Sequence, residues 1–494
     1  MARQSATQQI VTERALTARL PVLHNERIYT SYSTFMWTCT AFGAATWAYI
    51  IGSALPYVGN TKVGVLAFFA GQVVGMVAVA LSSGMPSVRY GVDTIDAVKT
   101  SFGSRGMVIP LVGLILTLVG WTCVLVALTA QGVGNVATNI QHTESASKLL
   151  LIIVGVAAVL ATWVIVVRGP WLFERISNYI APGHLVLAGV MIVILLLKFP
   201  FSDLFNANIP AADAYTSDRL KAVMLAFEFG LSGAFTWWPA MGGLTRLVQR
   251  QNHVVGPSVV GCGIFGAAFL SAIAAVAAVK AGTYDPTVWM VTLGGNVFGT
   301  LMVAFLIAAN IPTMVIMIYL AGIAIQQIRV FTRLPWAVVV AILLVPPMIS
   351  SFYSDWVMAN VVKWLTYNGL MFAGITGITL VDYFVLRRQQ VDARSLFVRG
   401  PGGKYWFWGG FNLVAVAVTA LSVGLYLWLF DPITLDARAQ FRYVGVSIPT
   451  VVLSALVYYT AMRIIAIPLR KGSYERYTRS SNNGATAVVP TVEL

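Results

Sequence analysis

Charge is what this sequence has least of. Only 10% of its 494 residues are Asp, Glu, Lys or Arg, against about 25% in an ordinary soluble chain. Hydrophobic residues make up 58%, and mean hydropathy is +0.79. A water-soluble core is excluded, because no compact domain can absorb so many unbroken apolar runs. Cysteine is equally scarce. Cys39, Cys123 and Cys262 stand singly inside apolar runs, without metal-ligand spacing or a loop pair fit for a disulfide, and read as small packing residues. The four histidines are dispersed. No cluster of His, Asp and Glu and no nucleophile–base pair falls at a common depth, which argues against a membrane-embedded enzyme and against a resident cofactor. The first 33 residues are polar and basic without an apolar leader, so they read as a cytoplasmic segment with no cleavable signal.

What is present is twelve apolar stretches, each long enough to cross a bilayer. They are expected at 34–54, 63–83, 108–130, 149–167, 177–197, 222–243, 255–279, 298–324, 334–352, 361–382, 408–430 and 444–465, and are called spans 1 to 12 below. The membrane domain is therefore 34–465, and 466–494 reads as a disordered cytoplasmic tail. The fold class is an all-α integral membrane protein.

The net charge of +14 suggests nucleic acid, but the basic residues sit in the connections rather than in one groove. With the N-terminus inside, 23 of the 32 Lys and Arg fall on inner segments and 9 on outer ones. That is the positive-inside bias of a multi-pass cell-membrane protein with both termini cytoplasmic. The partner it implies is lipid, not nucleic acid and not another protein.

Two spans are rich in Gly, Pro and polar residues at membrane depth. Span 1 carries Thr38-Cys39-Thr40-Ala41-Phe42-Gly43; span 6 carries Gly230, Gly233, Trp237, Trp238, Pro239, Gly242 and Gly243. A helix interrupted in lipid must aim its freed N–H and C=O groups at something polar. Five spans separate the two starts, so spans 1–5 (about 34–197) and 6–10 (about 222–382) read as oppositely oriented repeats, with spans 11 and 12 (about 408–465) added. The plainer alternative is that these glycines only let helices pack closely. Span 8 adds Ala309-Asn310-Ile311-Pro312-Thr313, where proline frees a carbonyl one turn earlier and offers an oxygen ligand to a cation.

Other stretches are more specific. Arg89-Tyr-Gly91-Val-Asp93-Thr-Ile-Asp96, Val119-Gly120-Trp121, Trp237-Trp-Pro239-Ala-Met-Gly-Gly243-Leu-Thr-Arg246 and Asp382-Tyr383-Phe384-Val-Leu-Arg387-Arg388 occur in this order and spacing. Together they resemble the nucleobase:cation symporter-1 family of hydantoin, cytosine, purine, uracil and allantoin permeases, over about residues 25–465. The resemblance implies ten core helices in a five-plus-five inverted repeat of the LeuT type, with alternating access of a bundle (spans 1, 2, 6, 7) against a scaffold (spans 3, 4, 8, 9). It implies substrate stacking on Trp121 and on Trp237 or Phe235, with Gly43, Leu125 and Asn310 nearby. It also implies a cation site made by Cys39, Phe42, Ala309 and Thr313. Stacking a flat ring on indoles is physically sound, since the contact is large and little side-chain entropy is lost. Trp336, Trp356 and Trp408 instead suit an interfacial belt.

This chain departs from the family where ring-edge amides and sodium ligands are expected. Leu125 follows Trp121 by one turn, span 8 continues Met-Val-Ile-Met-Ile after Thr313, and the acidic residue of the span 6 exit is Gly243. The coupling ion, Na+ or H+, stays open. Glu228, between two phenylalanines about two turns before the span 6 interruption, reads either as a proton carrier or as an outer-mouth carboxylate paired with Lys221 or Lys198. The expected function is symport of a small planar nitrogen heterocycle (a nucleobase, hydantoin, allantoin or vitamin precursor). The alternative is a same-fold carrier of an amino acid.

Overall fold

The computed structural model describes residues 21–474 apart from 144, 169–170 and 399, and it leaves out the side chains of 171–178. The segment before residue 21 and the tail beyond 474 lie outside the described residues. Regular structure is helical, with only isolated bridges besides. In chain order, span 1 is the pair α1 (Tyr32–Gly43) and α2 (Thr46–Ala54). Span 2 is α3 (Thr61–Tyr90), and the short α4 (Thr94–Phe102) follows it. Spans 3 to 5 are α5 (Val108–Gln141), α6 (Lys148–Arg168) and α7 (Trp171–Lys198). Span 6 is the pair α8 (Arg219–Phe235) and α9 (Trp238–Thr245). The rest are α10 (Gln251–Ala281), α11 (Pro286–Ile325), α12 (Trp336–Ser350), α13 (Val361–Leu386), α14 (Leu413–Leu429) and α15 (Ser447–Ala466).

Eight of these helices are long and apolar enough to cross a membrane by length and composition. The other four expected spans differ for physical reasons. Spans 1 and 6 are divided, while α12 and α14 are shorter apolar helices. Span 8 begins where expected because Gly295, at φ 75° and ψ 174°, breaks the helix that starts at Pro286.

Packing shows the repeat. The divided span 1 lies along α10, and the divided span 6 lies along α3. Spans 1 and 7 therefore pair as spans 6 and 2 do, as two inverted five-span repeats require. Glycine makes each contact possible. A Cβ on Gly43 would sit 2.8 Å from the Cα of Gly266, and a Cβ on Gly71 would sit 2.2 Å from the Phe227 carbonyl oxygen. The obstructing atoms are backbone and cannot rotate away. Gly71→Ala is accordingly expected to cost about 1–3 kcal/mol by overpacking, read as a lower melting temperature in detergent; a wild-type melt would show that the two helices separate freely.

The inner end holds more structure than a disordered tail from 466 would. Residues up to Tyr474 fold back, and Tyr474 is only 3% exposed, against the buried pair Asp382–Arg387 (2.9 Å). Trp336, half-buried, packs over Gly322 and donates its indole N–H to the Val166 carbonyl (3.2 Å).

Candidate binding site at the helix interruptions

The two interruptions differ in kind. Between α1 and α2 the chain is extended, with Ala44 at ψ 92° and Ala45 at φ −142°, ψ 177°. Between α8 and α9 it is only tightened. Thr236 and Trp237 keep right-handed helical angles, and the Trp237 N–H reaches Ala234 three residues back (3.0 Å). Span 6 is thus jogged rather than unwound. Pro239 supplies the cause, because it lacks the N–H that would continue the regular ladder.

Aromatic rings from both interruptions meet here. Phe42, at the end of α1, stands edge-on to Trp237 with centroids 4.5 Å apart. Trp47, in the first turn of α2, contacts Trp121 of α5 at 5.9 Å and Trp237 at 6.0 Å. Trp121 and Trp237 do not pair directly; Trp47 touches both. All three indoles are about 3% exposed. The indole N–H groups of Trp121 and Trp237 have no hydrogen-bond partner among the described residues. The cluster is therefore an apolar aromatic cage with donors to spare.

A polar thread holds it together. Asn310 Oδ1 accepts from the Thr46 backbone N–H (3.2 Å) and from the Thr46 hydroxyl (2.8 Å), which satisfies the first turn of α2. Asn310 Nδ2 donates to the Thr129 hydroxyl oxygen (3.1 Å), and Thr129 donates to the Leu125 carbonyl (2.7 Å). The amide of Asn310 thereby ties the span 1 interruption to α5 and α11. Asn310→Leu is expected to destabilise the protein by about 1–3 kcal/mol, since it strands the buried Thr46 N–H. Hydrogen exchange confined to α2 would check it, and unchanged protection there would contradict the assignment.

The other expected positions divide. Leu125 is fully buried one turn from Trp121. Phe235 is buried, and no ring contact joins it to the cluster among the described residues. Gly43 faces Gly266, so its lack of a side chain serves the contact with α10. Phe42 contributes its ring. The Cys39 carbonyl accepts from the Cys262 thiol on α10 (3.4 Å) and the Ala309 carbonyl from the Thr313 hydroxyl (3.4 Å). Two of the expected cation oxygens are thus engaged within the protein, and Cys39 faces α10 rather than α11.

Glu228 is held by backbone donors rather than by a lysine. Its Oε1 accepts from the backbone N–H groups of Val446 (2.8 Å) and Ser447 (3.0 Å) at the start of α15. Charge at a helix N-terminus is favourable there. This anchoring accounts for a carboxylate at that depth, and no salt bridge to Lys221 or Lys198 forms.

Gly243, where the family's span 6 pattern is acidic, has another carboxylate beside it. A Cβ on Gly243 would lie 3.3 Å from Asp93 Oδ1. Asp93 caps α4 by accepting from the Ile95 N–H (3.2 Å). Burial raises its carboxyl to about 6, against the lowering pull of the buried Arg246 just past α9. Arg246 in turn donates to the Tyr319 hydroxyl oxygen on α11. The connection after α3, the end of span 6 and α11 are joined here.

Sequence reasoning missed Trp47, Thr46 and Thr129. Trp47 was legible as an aromatic beside the span 1 interruption, but only its packing shows that it reaches both Trp121 and Trp237.

Comparison with known proteins follows the geometry. A family model described as "permease for cytosine/purines, uracil, thiamine, allantoin" matches residues 21–465. The allantoin permease of Bacillus subtilis (strain 168) is 28% identical over 106 residues, 21% of this chain and 20% of that protein. The purine-uracil permease NCS1 of Arabidopsis thaliana is 34% identical over 65 residues, 13% of this chain and 10% of that protein. The matched segments thus span a fifth or less of these curated relatives. Mhp1, a nucleobase-cation-symport-1 family transporter solved in a closed conformation with bromovinylhydantoin bound, superposes with a TM-score of 0.72 at 16% identity, covering 93% of this chain and 98% of that one. At that identity the likeness speaks for the fold.

Proposed function

Because this chain belongs to the family of permeases for cytosine/purines, uracil, thiamine and allantoin, we propose that it is a cation-coupled secondary transporter of a small planar nitrogen heterocycle, and not an enzyme. The observation that carries the reading is the meeting of Trp47, Trp121, Trp237 and Phe42 at the two interrupted spans. Large flat faces suit a flat ring, and the free indole N–H groups of Trp121 and Trp237 suit its oxygen and nitrogen acceptors. Leu125 and Asn310 line and brace the cage, with Phe235 and Gly43 behind it.

Alternating access follows from the packing. Spans 1, 2, 6 and 7 form a bundle that moves against α5, α6, α11 and α12, with the Thr46–Asn310 contact crossing between the two bodies. The basic bias of the connections supports both termini lying on the cytoplasmic side of the cell membrane. Asp93 and Arg246 close the inner side in this reading.

Thermal-shift titration of the purified protein tests it. Uracil, hydantoin or allantoin is expected to raise the melting temperature, because a ligand of the native state stabilises by mass action. Stabilisation by amino acids, with none by any of these heterocycles, would sink the heterocycle reading. The engaged oxygens of Cys39 and Ala309 carry a further expectation. Uptake in vesicles should survive replacement of Na+ by choline at constant pH; its complete loss would show obligatory sodium coupling.

A further inference from the structure

Near the middle of α3 lies a side chain that nothing above uses. Gln72 is fully buried, and neither its Oε1 nor its Nε2 has a hydrogen-bond partner among the described residues. Leaving a buried donor and acceptor unmet is costly for each group, and more so where lipid rather than water surrounds the protein. A leucine of similar size would pack the same volume without that cost. An amide kept here therefore calls for a polar partner that comes and goes.

Its position says which one. The amide occupies the space left by the missing side chain of Gly233, where a Cβ would stand 2.5 Å from Nε2 and 3.8 Å from Leu365 Cδ1. Gly233 is one helical turn before Trp237, so both lie on one face of span 6. The close glycine contacts of α3 with α8 hold Gln72 there: a Cβ on Gly230 would be 2.9 Å from the Gln72 backbone nitrogen. Meanwhile the positions where a ring-reading amide is expected are Leu125 on α5 and a run of Met, Val and Ile after Thr313 on α11. Asn310 is already committed to Thr46 and Thr129.

We propose that Gln72 is the residue that reads the polar edge of the transported ring, its amide pairing with a neighbouring C=O and N–H of the substrate while the indoles hold the faces. A carboxamide presents one acceptor and donors side by side, which complements the amide edge shared by uracil and hydantoin. The proposal rests on the heterocycle reading and gives it a substrate class: rings with an unsubstituted amide or imide edge. A site built to pair such an edge rejects an analogue that cannot pair, because its own polar atoms are then stranded.

The test is selectivity. Binding of uracil and 1,3-dimethyluracil, and of hydantoin and 1,3-dimethylhydantoin, neither methylated ring keeping an N–H, is measured by tryptophan fluorescence and thermal shift on wild type, Gln72→Leu and Gln72→Met. The parent ring is expected to bind wild type at least about tenfold more tightly than its methylated form, and Gln72→Leu to bring that ratio near one. Gln72→Met, which keeps the length and loses both polar atoms, is read the same way if the leucine variant does not fold. A ratio unchanged in both variants, or an equal loss for parent and methylated rings, overturns the assignment while the transporter reading stands. Failure of wild type to bind any of the four rings overturns both.

Discussion

Trp121→Ala is expected to abolish heterocycle uptake while the protein still reaches the membrane. Stacking of a nucleobase-like ring on an aromatic side chain contributes about 1–3 kcal/mol, so the direct loss is about 5- to 150-fold in affinity. A second loss adds to it. Trp47 packs edge-on against Trp121 at 5.9 Å and also touches Trp237, so truncation leaves Trp47 without one wall and the cage loses its shape. The first turn of α2 is fixed separately, through Thr46 and Asn310, and should stay in place. Trp→Ala in a core itself costs about 3–5 kcal/mol, which is why Trp121→Phe is the companion variant. It keeps an aromatic face and should retain measurable binding at reduced affinity. Unchanged uptake by Trp121→Ala, at equal surface expression, would remove the indole cage from the mechanism.

The largest effect on stability is expected at the inner end. Asp382 accepts from Arg387 Nε (2.9 Å), from the Tyr458 hydroxyl (3.1 Å) and from the Tyr474 hydroxyl. Arg387 also donates to the carbonyls of Thr100 (2.7 Å) and Gly472 (3.1 Å) and lies over the Tyr474 ring. This one pair joins α13, α4, α15 and the chain beyond it, with both side chains at most 1% exposed. Asp382→Ala leaves a buried guanidinium without its counter-charge, a cost of about 3–5 kcal/mol. The double variant Asp382→Ala with Arg387→Met should recover much of that, because neither charge then remains to be compensated. Melting temperatures of the two variants decide it. A double variant as unstable as the single one would mean that the hydrogen bonds of Arg387 to Thr100 and Gly472 matter more than its charge.

Legibility followed the range of the interactions. The apolar spans were readable because a bilayer demands a fixed length of unbroken hydrophobic helix. Asp382 and Arg387 stand close in sequence, but residues five apart do not share a face of a regular α-helix, and it is the end of α13 that brings the two together. The site was half readable. Trp121 and Trp237 stood out as tryptophans at mid-span, whereas Glu228 could not be assigned to the start of α15, more than two hundred residues away in sequence. The contact of Cys39 with Cys262 on α10 was hidden for a related reason: composition shows that a helix is rich in small residues, but not which neighbour its carbonyls face. Span 6 was expected to be interrupted and is, but its glycines and proline could not tell an extended break like that of span 1 from the tight turn seen at Thr236 and Trp237.

Hydrophobic length, the basic bias of the connections and the spacing of the Gly- and Pro-rich spans by themselves determined a many-spanning, repeat-built membrane protein, because solvent and chain direction act on every residue locally. Tertiary structure alone decided that Trp47 bridges Trp121 and Trp237, that Asn310 holds the first turn of α2, and that the unmatched amide of Gln72 lies beside Gly233. Those outcomes depend on which helix faces meet. Contacts between segments far apart in the chain are chosen by the mutual fit of surfaces, and no stretch of sequence contains that fit on its own.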